Sequence, residues 1–504
     1  MQTGFTYVLR RCREFFHLQT VMLLCSCILV LSFISGCATR ISTDAIRNGL
    51  RTDSLETLKQ DLGKTHESFG EFVTAVNLAR VYQVDGRWVD SIKAFEDALV
   101  LLEAYENRAE INMRAVFADT GTILFSRGAD EYYGMGYERS LLHTFNALNY
   151  LMLGDFSGAA VEMRRMVRRQ ELWLEESQTR IEKHLESARM VHSPDHLPHS
   201  YSMRDLLRNQ EVRDLLNNYQ DPFSYSLGAI LYRLAEDPQA SETSMRRAIE
   251  LSDNANLLFS RAWDEPIPTP KKPMEPPLPV VPPLPLPPPS NSADSTPCRG
   301  AIQTDTQELT IIAFSGLAPA LRMENIRMWF PPIGYILIDL PAYTAPVPGA
   351  IPTISVHSGD ESAAVDLHAL LRTDLLAYRT LWDEIRMETP LAVSRALTRA
   401  GISTTAYVAS RSHRDTEGLA PLIASLATVL LDIFSSVLSD SVRNWETLPN
   451  AGYLAMTEVP RGSTLAIGTG SRETSMDLPQ NARGVIVMVT ELFHSNIKVS
   501  YATY

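Results

Sequence analysis

Cysteine is almost missing from this chain of 504 residues: there are five, four of them within the first 37 positions, and only Cys298 lies beyond. One thiol cannot close an internal disulfide, so everything past Cys37 must hold together by packing. Cys298 itself, beside a proline-rich stretch, reads as an incidental exposed thiol rather than a bridge or a reactive group. Net positive charge is missing as well. The formal balance is −13, and Arg10, Arg11, Arg13 and Glu14 put +2 before Cys37, which leaves the remainder near −15. That excludes nucleic-acid or anionic-lipid binding driven by bulk charge. Catalytic signatures are missing too. Past Cys37 there is no HExxH, GxSxG, Walker loop or CxxC. No catalytic residue, metal ligand or cofactor is therefore assigned.

What is there begins at the start of the chain. The basic cluster Arg10, Arg11 and Arg13 precedes an apolar run from Leu18 to Ile34, and Ile34-Ser35-Gly36-Cys37 closes it. A charged start, an apolar stretch and small residues before a cut site have the form of a secretory signal. The ending resembles the lipobox of bacterial lipoproteins. On that pattern cleavage follows Gly36, Cys37 becomes the acylated first residue, and residues 37–52 form a lipidated tether. Ala38 is not the Asp that retains such proteins at the inner membrane, which implies sorting to the outer membrane, on its periplasmic side.

Residues 53–264 read as helical, rich in Leu, Ala, Glu and Arg at three- and four-residue spacing. Leu78-Ala79 precedes Tyr82, followed by Gly86, Ser91, Phe95 and Ala98. Ala147 and Tyr150 precede Gly154, Ala159, Met163 and Met166, and Tyr225, Gly228, Ala229 and Tyr232 precede Ser241, Met245 and Ala248. Tyr82 and Tyr150 stand 68 residues apart, twice a 34-residue period. These spacings match the tetratricopeptide (TPR) pattern, in which small residues let paired helices approach and large ones fill the gaps between pairs. An unrelated bundle would carry nearly the same helices. Arg164, Arg165, Arg168 and Arg169 share a helix with Glu162 and Glu171. They read as a solvated, salt-bridged face or, more sharply, as a basic wall of a groove for an acidic partner. His184, His192, His196 and His199 read as a solvated loop rather than metal ligands.

Residues 265–299 form a proline-rich linker: fourteen of the thirty prolines fall between 265 and 297. Proline at that density removes backbone donors and favours an extended polyproline II spacer of about 3.1 Å per residue. Residues 300–504 read as a small α+β domain. Strands are expected at Glu308–Phe314, Tyr335–Leu340, Thr353–His357, Tyr453–Thr457, Thr464–Ile467, Val485–Glu491 and Ile497–Tyr501. A helix is expected over Ser362–Glu388, continuing at Val393–Ala400, and Pro460-Arg461-Gly462 suggests a hairpin between its flanking strands. Leu419–Leu438 is nearly all apolar but holds Asp432, which favours a buried or self-packed helix over a membrane span. His413-Arg414-Asp415 has the kinase triplet, but Ala420 stands where the metal-binding Asn belongs. Gly468-Thr469-Gly470-Ser471 reads as a turn.

Taken together, Tyr132-Tyr133-Gly134-Met135-Gly136-Tyr137-Glu138-Arg139, Ala147-Leu148-Asn149-Tyr150-Leu151 and Ala160-Val161-Glu162-Met163-Arg164-Arg165 resemble a family of uncharacterised TPR-containing lipoproteins of Gram-negative bacteria. Gly316-Leu317-Ala318-Pro319, Leu340-Pro341-Ala342-Tyr343 and Arg443-Asn444-Trp445-Glu446-Thr447-Leu448-Pro449 fit the same pattern. The resemblance implies helical-hairpin repeats followed by an α+β domain, anchored in the envelope by a palmitate-bearing Cys37, and it transfers no active site. The expectation is a non-enzymatic scaffold for an unknown envelope protein, with homo-oligomerisation open. The rivals are an envelope enzyme acting on cell wall or polysaccharide, and a structural component of an export assembly.

Overall fold

A computed structural model describes residues 43–52, 54–69, 71–112, 132–187, 199–262, 306–330, 334–385, 444–469, 472–492 and 496–504. Gly36, Cys37, the linker 265–299, the segments 393–400 and 419–438 and the triplet at His413 lie outside them. Among the described residues no helix is long and apolar enough to cross a membrane.

A helical part comes first, then a sheet-rich part. The helices are α1 (Thr43–Arg51), α2 (Leu55–Phe69), α3 (Phe72–Val84), α4 (Trp88–Asn112), α5 (Gly136–Met152) and α6 (Phe156–Ser187). Short α7 (Arg204–Leu207) and α8 (Gln210–Asp214) lead to α9 (Pro222–Leu234), α10 (Pro238–Leu251) and α11 (Asp253–Ala262). The pairs α3–α4, α5–α6 and α9–α10 are hairpins closed by one and the same turn. In each, the middle residue is left-handed: Gly86 (φ 75°), Gly154 (φ 76°) and Glu236 (φ 60°). The residue after it returns a hydrogen bond to a tyrosine carbonyl: Arg87 N to Tyr82 O at 2.9 Å, Asp155 N to Tyr150 O at 2.9 Å and Asp237 N to Tyr232 O at 2.8 Å.

Small residues make the close approach that the sequence spacing predicts. Ala79, Ala98, Ala147, Ala159 and Ala248 are wholly buried, as are Phe95 and, almost entirely, Leu78 and Tyr232; Tyr82 and Tyr150 are half-buried. Ser91 Oγ donates to Ala79 O at 2.8 Å across the first hairpin, and Ser241 Oγ to Ala229 O at 2.7 Å across the third. The starts of α9 and α10 are capped locally. Asp221 Oδ1 accepts from Ser224 N at 2.7 Å with Pro222 opening α9, and Asp237 Oδ1 accepts from Ala240 N at 3.1 Å with Pro238 opening α10, the residue types these positions favour.

The strands are β1 (Thr306–Ser315), β2 (Leu321–Phe330), β3 (Gly334–Tyr343), β4 (Thr353–Ser358), β5 (Glu361–Ala364), β6 (His368–Arg372), β7 (Ala451–Pro460), β8 (Thr464–Thr469), β9 (Arg472–Asp477), β10 (Gly484–Leu492) and β11 (Asn496–Thr503). They build a five-stranded sheet β11-β10-β1-β7-β6, a four-stranded sheet β5-β4-β8-β9 and the ribbon β2-β3. β1 and β10 pair in parallel; the other pairs are antiparallel. The pleat of β1 divides its side chains cleanly. Leu309, Ile311 and Ala313 face the four-stranded sheet with Ile354, Val356, Leu465 and Ile467, while Ile312 and Phe314 join the core of the helices. β10 does the same, with Val485, Val487 and Val489 on one side and Ile486 and Met488 on the other. A sheet covered on both faces needs such continuously apolar strands. The order of layers is helical hairpins, five-stranded sheet, four-stranded sheet.

Two expectations are corrected. The helix expected from Ser362 begins only at residue 373 (α12, 373–385), because β5 and β6 occupy the preceding stretch. The strands around Pro460-Arg461-Gly462 form no hairpin. β7 already has β1 and β6 on its two edges, so the turn hands the chain to the other sheet, where β8 pairs with β4 and β9. One apolar core runs from Ile46 in α1 to Ala502 in β11.

Candidate functional site

The inner face of the hairpins is filled by the chain itself. Phe314 at the end of β1 meets Phe145 of α5 and Phe223 of α9, each with ring centroids 5.3 Å apart. Trp445 stands edge-on to Phe95 at 6.0 Å and to Phe145 at 5.8 Å. Asn77 of α3 fastens the loop before β7: its Nδ2 donates to Asn444 O at 3.3 Å and its Oδ1 accepts from Thr447 N at 3.0 Å. Arg47 of α1 donates to Glu446 at 3.2 Å and to Ala318 O at 3.4 Å. Asn149, Gly316–Ala318 and Asn444–Thr447 thus converge on one seam.

The seam has a polar spine. Arg80, wholly enclosed, lies 4.3 Å from the Phe145 ring centroid and 5.8 Å from that of Phe314, and donates to Gln83 Oε1. Gln83 Nε2 donates to Asn149 Oδ1 at 2.6 Å, and Asn149 Nδ2 donates to Ser91 Oγ at 2.8 Å. Desolvation pushes the guanidinium down to about 9, still charged at neutral pH. Sequence reasoning passed over Arg80; the available signal was one cation among Leu78, Ala79, Val81 and Tyr82.

The four arginines proposed as a partner wall stand on α6, and the structure engages three of them internally. Arg164 pairs with Asp237 at 2.8 Å, Arg165 with Glu162 at 2.7 Å and Arg169 with Glu106 at 2.7 Å. Glu162 is buried and also takes His143 Nδ1 at 2.8 Å. Burial lowers the His143 pKa against the pull of that carboxylate. Arg168 is exposed, with no ion pair among the described residues. Of the four clustered histidines, His199 is described in detail and sits 2.6 Å from Arg204. Among the described residues no group of three His, Cys, Asp or Glu is placed to hold a metal ion.

Among the described residues an open concavity lies elsewhere, on the sheet-rich part. A cleft of about 920 Å³ runs between the two sheets, lined by β1, β4, β5, β6 and β7 with Arg233 from the end of α9. Its acidic wall is set by strand register, since Glu308 and Glu458 are direct cross-strand partners. Arg233 donates to both oxygens of Glu308, at 2.8 and 3.0 Å, and Tyr504 Oη donates to it at 2.8 Å. Burial, with Glu308 beside it, raises the Tyr504 phenol pKa. Thr306 Oγ1 donates to Glu458 at 3.3 Å. Glu361 and Asp366 face the same space, and β5, exposed along all four residues, forms the edge of its sheet there. None of these residues was singled out from sequence, because the register that joins positions 308 and 458 is non-local. The arrangement offers carboxylate acceptors beside a strand edge with free backbone groups, the chemistry that holds an extended basic segment. Comparison of the chain with protein-family models, with curated proteins and with solved structures gives no match.

Proposed function

We propose that this chain is an outer-membrane lipoprotein, anchored through Cys37 on the periplasmic side, whose TPR-like hairpins act as a scaffold for an envelope protein. The observation that carries the scaffold reading is the threefold return of one hairpin, with the same left-handed turn and the same tyrosine-carbonyl bond. The resemblance to TPR-containing lipoproteins of Gram-negative bacteria supports the address, together with the basic start, apolar run and Ser35-Gly36-Cys37. Two or more acyl chains on one Cys are what stable anchoring requires.

Because the inner face of the hairpins is filled by Phe314 and Trp445, the hairpins serve as the frame that holds the sheets, and on this reading the partner meets the cleft. An extended segment bearing Lys or Arg would add to β5 and meet Glu361, Asp366 and Glu458. The test is cross-linking in intact cells followed by pull-down, with the native chain, Glu361→Lys and Ala363→Pro. Loss of the cross-linked species in both variants is expected; retention in both, with loss in Arg168→Glu, would move the site to α6. Palmitate labelling checks the anchor separately: Cys37→Ser should stay as the full-length precursor and lose the label.

One observation favours a second reading. Two carboxylates directly opposed across β1 and β7, in a cleft, are an arrangement that hydrolysis of a glycosidic bond can use. Against it, Glu308 is already held by Arg233 and Tyr504. Turnover of cell-wall glycans by the native chain, abolished in Glu458→Gln, would establish the enzyme.

A further inference from the structure

The ribbon β2-β3 presents an apolar, aromatic end to solvent. Trp329 is 60% exposed, Tyr335 74% and Leu337 47%, and one strand pair sets the three side by side as a patch. Register explains how they come together. Trp329 pairs with Tyr335 and Arg327 with Leu337, so these four share one face, while Ile326 and Ile338, also paired, are buried on the other. The two rings meet edge-on at 5.0 Å. From Met328 to Ile338 the sequence holds no charged residue. Arg327, one same-face step back from the rings, is exposed and has no ion pair among the described residues.

The position of this ribbon relative to the chain start points to its occupant. Five residues lie between Cys37 and Thr43, the first residue of α1. The six chain steps from Cys37 to Thr43 span at most about 20 Å. Arg47 of α1 is bonded to Ala318 O, three residues before β2 begins, so the anchored end sits at the root of the ribbon. Ten residues of strand extend about 30 Å. A ribbon longer than the leash, rooted where the leash begins, has the length to meet a bilayer that holds Cys37.

We infer that the Trp329–Tyr335 end of the β2-β3 ribbon lies in the lipid–water interface, with Arg327 at the level of the headgroup phosphates. This rests on the reading of Cys37 as the lipid anchor. Amphipathic rings prefer that interface, and a single cation behind them meets anionic headgroups without help from the overall charge. The contact fixes which side of the body faces the membrane.

The test uses the full chain purified from membranes and reconstituted in vesicles of phosphatidylethanolamine and phosphatidylglycerol containing brominated lipid, which quenches nearby indoles. The chain has six tryptophans. The native protein is expected to lose more emission than Trp329→Phe, by the share of one indole. A Tyr335→Ser, Leu337→Ser double variant, altered only at exposed positions, should reduce the quenching of Trp329. Equal quenching in native protein and Trp329→Phe overturns the inference. So does a Trp329-dependent dimer seen by light scattering without such quenching, which would make a second copy the occupant. Palmitate labelling of the same preparation reports the anchor independently. Labelled protein without Trp329-dependent quenching refutes the ribbon contact alone; unlabelled protein with it supports the contact and refutes the anchor alone.

Discussion

The Arg80 guanidinium rests 4.3 Å from the centre of the Phe145 ring and has no carboxylate partner among the described residues. Its compensation is the ring faces and Gln83, which is modest against the cost of taking a cation out of water. Arg80→Met keeps most of the volume and removes the charge, so its stability should match or exceed that of the native chain by up to about 2 kcal/mol. Arg80→Ala leaves the volume empty and should cost about 2–4 kcal/mol. Urea melts of the two variants check the order. A large loss in Arg80→Met would mean that the charge itself holds the seam.

Asp221 caps α9 while buried, and burial raises its carboxyl to about 6. A raised carboxyl binds a proton in the folded state at pH values where the unfolded chain has lost it. Stability therefore falls as pH rises from about 4 to about 6, at about 1.4 kcal/mol per pH unit for full separation of the two states. Asp221→Asn keeps the capping oxygen and removes the titration. It should be more stable than the native chain at pH 7.5, by up to about 3 kcal/mol, and equal to it near pH 4. An unchanged difference across that range would show that Asp221 titrates as it does in the unfolded chain.

Glu236 holds the left-handed position that Gly86 and Gly154 hold in the other two hairpins. A side chain there costs about 1–2 kcal/mol that glycine does not pay, although glycine loses part of this through its freer unfolded chain. Glu236→Gly should raise the stability by up to about 1 kcal/mol, while Gly154→Ala should lower it by at least as much. Thermal melts of the two variants side by side test whether the three turns are equivalent.

The hairpins were legible because their determinants are local: a small residue, a tyrosine, a turn and another small residue within about one helical turn of their contacts. The central strands were legible for a similar reason, Leu309 to Phe314 and Val485 to Val489 being apolar without interruption. β2 was not. Arg322, Glu324 and Arg327 interrupt its pattern, and only pairing with β3 explains them. β6 was read as helix because Leu370 and Leu371 are both buried; the irregularity between Ala369 and Leu371 in its pairing with β7 disturbs the alternation that marks a strand. Neither the seam nor the cleft could be read. Asn77 and Asn444 are 367 residues apart, and nothing in either segment names the other.

The seam also changes what cleavage of the linker should do. Proline density makes residues 265–299 a ready protease site, with Met274, Asn291 and Arg299 as expected positions of attack. Two fragments should form, but they should not part. Phe314, Trp445 and Leu454 on one side and Phe95, Phe145 and Phe223 on the other belong to one buried cluster. Separating them would expose aromatic surface worth several kcal/mol at about 25 cal/mol per Å². The nicked protein should elute at the position of the intact chain and dissociate only in denaturant. Trp445→Ala, which empties the space between Phe95 and Phe145, should cost about 3–5 kcal/mol and release the fragments at a lower urea concentration. Fragments that separate without denaturant, each still folded by circular dichroism, would mean that the two parts are independent bodies and that the inner face of the hairpins is free to take a partner.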